Sequence, residues 1–402
     1  MAAQIYIGRE MRILYSHRIQ SRDGQSVHVE ELVAAFRAAG HEVRVVGPGL
    51  YDNNKFGDES LWLARFQKYA PAAIKELAEL AYNILTYRRL SAACREFSPD
   101  FIYERYNLFH LAGSWLARRT KLPLFLEVNS PLADERIDHS GLQLKALARA
   151  TERFTWRSAT RVLAVTQVLK DIIVASGIAS DRVHVVPNGV VLERFDLSAP
   201  RPPHAGITIG FLGFVRSWHG MDGVLNSMSA HNSATPVRLM VVGDGPARSD
   251  LERQAAALNI SDSVIFTGVV GFEAVPGCIR QFDIAIQPKV VAYASPLKIF
   301  DYMAAGLAIV APDQPNIREL LQHGVNGLLF DPDQPGAMWQ AIVGLIEDPE
   351  RIAVLARAAR ADLEARGYTW RANAERIVGW ATDELTPGAS GKRVETAILE
   401  TI

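Results

Sequence analysis

The feature that most constrains this chain is an alternation of short apolar runs with longer stretches of helical spacing, which begins at Arg12 and begins again at Ile207. Arg12 to Ser16 (RILYS) is an apolar run. Asp23-Gly24 follows as a break, and Val29, Leu32, Val33 and Phe36 then recur on one helix face until Gly40. Further strands are expected at Val43 to Val46, Phe101 to Tyr103, Leu124 to Val128 and Val162 to Val165. The second series places strands at Ile207 to Leu212, Val237 to Val242, Val264 to Phe266, Asp283 to Gln287 and Ala308 to Val310. Parallel neighbours need a crossover, which a helix supplies, so each series predicts a doubly wound parallel sheet.

Between the two lies Ala199-Pro200-Arg201-Pro202-Pro203-His204, too rich in proline for a helix interior or a central strand. The expected organisation is a first domain over 11–198, a linker over 199–206 and a second domain over 207–366. A helix over 367–385, centred on Trp370 to Glu384, should return to the first domain, ahead of a loosely held tail over 386–402. Two such domains leave a cleft between the carboxyl ends of their strands, the expected workplace.

At 402 residues, 49% hydrophobic and 22% charged, the chain has material for two ordinary cores. Its 43 basic and 44 acidic residues nearly cancel, so no global field points to nucleic acid. Cys94 and Cys278 stand alone, which excludes a disulfide framework and fits a reducing compartment. The opening MAAQIYIGRE lacks the pattern of a signal peptide and reads as an extension before Met11. No run approaches the roughly 20 apolar residues of a membrane span. A soluble cytoplasmic protein is expected. Leu61 to Phe97 mixes Trp62, Phe66, Tyr69, Tyr82 and Tyr87 with Arg65, Lys68, Lys75, Arg88 and Arg89. It fits a peripheral membrane surface or an acceptor cover, but a core-packing helical pair with a solvated basic face is the plainer and favoured reading.

The most informative segment is Ser295-Pro296-Leu297-Lys298-Ile299-Phe300-Asp301-Tyr302-Met303-Ala304-Ala305-Gly306. Pro296 suits a first helical position and Ser295 an N-cap. Open amides at such a tip can receive phosphate, Lys298 adds positive charge, and Asp301 one turn on can bridge two vicinal hydroxyls. A capped helix whose Lys and Asp merely complement each other fits the same pattern. Asp331-Pro332-Asp333 has acid-x-acid spacing but sits among turn residues, so no metal site is expected there.

The run SPLKIFDYMAAGLAIVAP resembles the donor-binding motif of family 4 retaining glycosyltransferases, whose fold is GT-B, two Rossmann-like domains facing across a cleft. Other segments are similar to that family in the same order: Asp23-Gly24-Gln25-Ser26, Gly40-His41-Glu42-Val43 and Val185-Val186-Pro187-Asn188-Gly189-Val190. Gly210-Phe211-Leu212-Gly213, Val241-Val242-Gly243-Asp244-Gly245-Pro246 and Phe266-Thr267-Gly268 follow. The likeness spans roughly residues 11 to 380. It implies that Asp301 grips the ribose, that Ser295, Pro296 and Leu297 form the loop meeting the distal phosphate, and that Gly24 approaches the diphosphate.

Three positions depart from the pattern. Tyr293 stands where a donor-sugar Glu is common, Phe214 where Arg is typical, and His219 where Lys is typical, leaving Arg216 and Lys298 as the expected pyrophosphate clamp. His219 would assist when protonated. In the first domain the likeness puts Arg105 and Asn129 where histidines often stand. Arg105 would then approach the donor sugar, and Glu104, Glu127 and Asn129 would orient an acceptor hydroxyl. A local Glu104–Arg105 ion pair is the ordinary alternative.

The resulting expectation is a retaining, metal-independent glycosyltransferase that takes a UDP- or GDP-sugar, needs no further cofactor, and glycosylates a glycan or lipid-linked acceptor in surface polysaccharide or glycolipid assembly. The departures also fit a non-catalytic sugar-nucleotide or glycan-binding subunit, or an enzyme that isomerises its donor.

Overall fold

The computed structural model describes residues 10–19, 24–48, 71–139, 141–198, 205–232 and 234–386. The chain divides into two compact units. One holds the residues up to Val165, Leu169–Val186 and the segment from Arg371; the other holds Thr166–Val168 and Pro187–Trp370.

The first unit is built on β1 (Arg12–Ser16), β2 (Glu42–Val46), β3 (Phe101–Arg105), β4 (Leu124–Val128), β5 (Arg161–Ala164) and β6 (Val183–Val185). All pair in parallel in the order β2-β1-β3-β4-β5-β6. β3 and β4 are buried at every residue, as a sheet covered by helices on both faces requires. Tyr15 and Tyr103 stack at 5.0 Å between centroids, with Phe36 5.8 Å from Tyr103, which seats the helix Gly24–Ala38 on the sheet.

The second unit carries β7 (Ile207–Leu212), β8 (Val237–Val242), β9 (Val264–Phe266), β10 (Ile284–Ile286), β11 (Ala308–Pro312) and β12 (Leu328–Phe330), parallel in the order β12-β11-β10-β7-β8-β9. Its strands feed two cores by alternation. Ile284 and Ile286 join Phe211, Leu239 and Ile342 on one face, while Ala285 joins Phe282, Phe300 and Tyr302 on the other. Each such fully buried large side chain contributes about 1.5–3 kcal/mol.

The division differs from the expected one. It falls between Val186 and Pro187, ahead of the proline-rich stretch, because Val190 bridges Thr369 and Phe195 enters the core around Tyr302 and Ala359. Residues 199–204 lie outside the described residues. The last helix runs Trp370–Leu385, and from Arg371 it belongs to the first unit, where Glu384 pairs with Arg161 at 2.8 Å and Trp380 stacks on His184 at 4.7 Å.

Residues 61–70 also lie outside the described part. Beyond them, helices Ala72–Ala81 and Asn83–Phe97 invert the usual pattern. They bury Glu76, which accepts from the amides of Gln143 and Leu144, and Asn83, which accepts from those of Leu111 and Ala112. They expose Ile74, Leu77, Ile84 and Leu85 at 42–59%. No helix among the described residues is long and apolar enough to cross a membrane.

Candidate functional site

In the second sheet the strand order reverses between β7 and β10, and ligands of doubly wound sheets bind outside the carboxyl ends at such a point. β7 runs out into Gly213 and on to Arg216 and His219, and β10 runs out toward Ser295 and the helix Leu297–Ala304. Tyr302 locks the two together, its hydroxyl accepting from the Leu212 amide at 2.8 Å. Gly213 has φ +125°, and Gly243 (φ +129°) packs so tightly against it that a Cβ would stand 2.3 Å from the Gly213 carbonyl oxygen. Only glycine fits that approach.

Lys298 lies in the first helical turn. Its Nζ sits 3.7 Å above the centroid of the Phe211 ring, and it has no ion-pair partner among the described residues. Burial pushes its pKa down to about 7. Around it are the amides of the helix start, which have no intrahelical acceptors. This is a positive, underneutralised hole of a kind that a diphosphate fills. Asp301 follows one turn later, half-buried.

His219 is buried, and its Nδ1 accepts from the Arg216 amide at 3.0 Å. In the neutral ring Nε2 then carries the proton. Burial, with Lys298 and Arg216 close by, pushes its pKa down to about 3. In the free protein a ring between two cations is thus held neutral, against the expectation that His219 assists when protonated. Arg216 is exposed, its guanidinium 5.0 Å from the Phe214 centroid.

The helix start also differs from expectation. Pro296 itself takes the cap position, at φ −75° and ψ 113°, and Leu297 is the first helical residue. Ser295 makes no cap; its Oγ accepts from the Asn188 amide at 3.3 Å, and the Asn188 side chain donates to the Ser295 carbonyl at 2.6 Å. Asp331 is a turn residue, accepting from the Asp333 amide at 2.9 Å.

In the first sheet the order reverses between β1 and β3. Arg105 ends β3 and donates to Glu127 at the end of β4. Glu127 also accepts from His28 Nε2 at 2.8 Å, the Tyr103 hydroxyl at 2.7 Å and Asn129 Nδ2 at 2.5 Å. Burial works to raise its pKa, but His28 and Arg105, with hydrogen bonds from His28 and Asn129, outweigh it and hold the carboxyl well below the usual range. Four donors fill the carboxylate, so Glu127 organises Arg105, His28 and Asn129 and has no oxygen left for an acceptor.

Glu104 points to the opposite face, as neighbours on a strand must. It is fully buried against the Ser16 hydroxyl (3.2 Å) and His110 Nε2 (3.1 Å), beyond reach of an acceptor, and it makes no local pair with Arg105. Gly24 is the first residue of the helix Gly24–Ala38. Thus Arg216, His219, Ser295, Pro296, Leu297, Lys298 and Asp301 gather on the second unit, and Arg105, Glu127 and Asn129 gather on the first. Sequence reasoning missed Phe211 and Tyr302 as parts of the site, His28 and Tyr103 as partners of Glu127, and any role for Asn188. A lone Asn-Gly after proline and a strand-end aromatic were the available signals.

Two family models match. A glycosyl transferase 4-like domain covers residues 23–189, and a glycosyl transferases group 1 domain covers residues 206–348. The chain belongs to the group 1 glycosyltransferases of family 4, and it is a glycosyltransferase with the GT-B fold. It is 25% identical to a 2-deoxystreptamine glucosyltransferase of Streptomyces kanamyceticus over 62% of this chain and 68% of that one. It is 23% identical to a GDP-mannose-dependent alpha-mannosyltransferase of Mycobacterium tuberculosis over 89% of this chain and 92% of that one. Among solved structures, Anabaena HepE in complex with UDP superposes with a TM-score of 0.70 at 17% identity, over 92% of this chain and all of that one.

Proposed function

We propose that this chain transfers a sugar from a nucleoside diphosphate to an acceptor hydroxyl with retention at the anomeric carbon, without a metal ion. The observation that carries the reading is Lys298, a desolvated ammonium with no ion-pair partner among the described residues, beside open amides at a helix tip. Lys298, the Leu297 and Lys298 amides and the His219 N–H would neutralise the charge that grows on the departing diphosphate, with Arg216 adding its charge from the exposed rim. Asp301 would hold the ribose hydroxyls. Anchored at both ends, the donor presents its anomeric carbon in a fixed place, and orientation supplies much of the remaining acceleration. UDP in the HepE structure and the GDP-mannose dependence of the mycobacterial relative support a nucleotide-sugar donor.

For the acceptor, the reading is a glycan or lipid-linked sugar in polysaccharide or glycolipid assembly. Relatives include an alpha-monoglucosyldiacylglycerol synthase of Streptococcus pneumoniae, 22% identical over 80% of this chain. The exposed aliphatic side chains Ile74, Leu77, Ile84 and Leu85, on the two helices that also carry the exposed Arg88 and Arg89, support peripheral contact with a membrane carrying such an acceptor.

The test is release of nucleoside diphosphate from a panel of UDP- and GDP-sugars with glycan and lipid extracts as acceptors. Acceptor-dependent release lost in Lys298→Ala and Asp301→Ala supports transfer. Tight nucleotide binding without turnover on any acceptor would favour a binding subunit, and an isomerised donor without acceptor would favour an epimerase.

A further inference from the structure

Three consecutive carbonyls lead into the helix tip, and each accepts from a different side chain. Thr166 Oγ1 donates to the Tyr293 carbonyl at 2.9 Å, Asn316 Nδ2 to that of Ala294 at 2.7 Å, and Asn188 Nδ2 to that of Ser295 at 2.6 Å. The donors come from positions 127, 22 and 107 residues away in the chain, so no local turn accounts for them. All three side chains are at least nine-tenths buried. Among the described residues no donor meets Oδ1 of Asn188 or Asn316, while their nitrogens hold the loop. Burying an unpaired acceptor is costly, so an arrangement that accepts the cost twice at one loop calls for a reason.

We infer that these three side chains are positioning residues that turn the 293–295 carbonyls away from the anion site. In a planar trans peptide the C=O and the following N–H point in opposite directions. Each captured carbonyl therefore fixes a peptide dipole: Asn316, by holding the Ala294 carbonyl, sets the Ser295 amide, whereas the Ala294 amide donates to the Val291 carbonyl and the Ser295–Pro296 peptide has no N–H, so Thr166 and Asn188 act by keeping carbonyl oxygens off the site. A carbonyl oxygen rotated toward the site would oppose a phosphate, and fixed donors avoid reorganisation when the anion arrives. Asn188 matters most, because its carbonyl is the last before the cap at Pro296. The inference rests on the diphosphate site proposed above and names the residues that preorganise it.

The test is calorimetric binding of inorganic pyrophosphate to wild type, Asn188→Ala, Asn188→Asp, Thr166→Val and Lys298→Ala, each first checked for a native circular dichroism spectrum. Asn188→Ala should weaken binding about tenfold, and the near-isosteric Thr166→Val should weaken it severalfold even if Asn188→Ala does not fold. Asn188→Asp should be at least as poor at pH 7.5, where a carboxylate faces the Ser295 carbonyl. It should recover toward wild type at pH 4.5, each compared at the same pH, because a protonated carboxyl can donate again; a merely structural role predicts no such recovery. Binding that is lost in Lys298→Ala but unchanged in folded Asn188 and Thr166 variants overturns this inference and leaves the site standing. Wild-type binding that is absent, or insensitive to Lys298→Ala, overturns both.

Discussion

Lys298 is the residue on which the chemistry turns, and its surroundings set a sign for pH dependence. Free Lys298 titrates near pH 7, and a bound diphosphate favours its charged form, raising that value. Affinity for nucleoside diphosphate should be greatest below pH 7 and fall up to tenfold per pH unit above it, until the pKa of the complex is reached. Calorimetry at pH 8 in buffers of different ionisation enthalpy should show proton uptake on binding; a proton-neutral signal would contradict it. The same depression, from 10.5 to about 7, means that the folded state binds fewer protons than the unfolded chain between those values, so this group makes stability rise with pH across that window. The two arginines singled out from sequence should separate cleanly. Arg105 is buried against Glu127, and Arg105→Ala should cost about 3–5 kcal/mol in urea unfolding by leaving that buried carboxylate without its permanently charged partner. Arg216 is exposed, and Arg216→Ala should change stability by no more than about 0.5 kcal/mol while weakening nucleotide binding. Lys298 and Asp301 were legible because the chemistry lies within four residues of one helix. Asn188, Thr166 and His28 were not, because their partners lie 99 to 127 residues away and only the folded chain brings them together.

Among the elements, the ten strands expected from apolar runs are all present, since parallel strands covered on both faces leave continuous apolar signatures. β6 and β12 escaped: His184 interrupts the first, and the second is a three-residue run between Gly327 and Asp331-Pro332, a context that reads as a turn. The domain boundary was misplaced for a related reason: prolines mark where the backbone cannot pair, whereas the division follows which core receives Val190 and Phe195. The turn after β7 is the element most exposed to single changes. Gly243→Ala should cost about 1–3 kcal/mol from its positive φ alone, and it would push the Gly213 turn that lies beside Lys298. A denaturation midpoint and a nucleotide titration on the same variant should therefore both fall; an unchanged titration would detach that turn from the site.

At the scale of the whole molecule, two sheets of the same doubly wound kind each place polar residues at the point where strand order reverses. The general architecture was readable from alternation alone, but which reversal point does chemistry was not, because that depends on charge left without a partner. A ligand that binds only the folded state stabilises it by about 2.7 kcal/mol at a concentration 100 times its Kd. For a unit of this size that is on the order of 5–10 °C in the thermal midpoint, which Lys298→Ala should abolish. The most direct measurement is a crystal structure with UDP or GDP bound. The account predicts the diphosphate within hydrogen-bond distance of the Leu297 and Lys298 amides and of Lys298 Nζ, with both ribose hydroxyls on Asp301. A nucleotide bound elsewhere, or one seated there with Asp301 turned from the ribose, would contradict it.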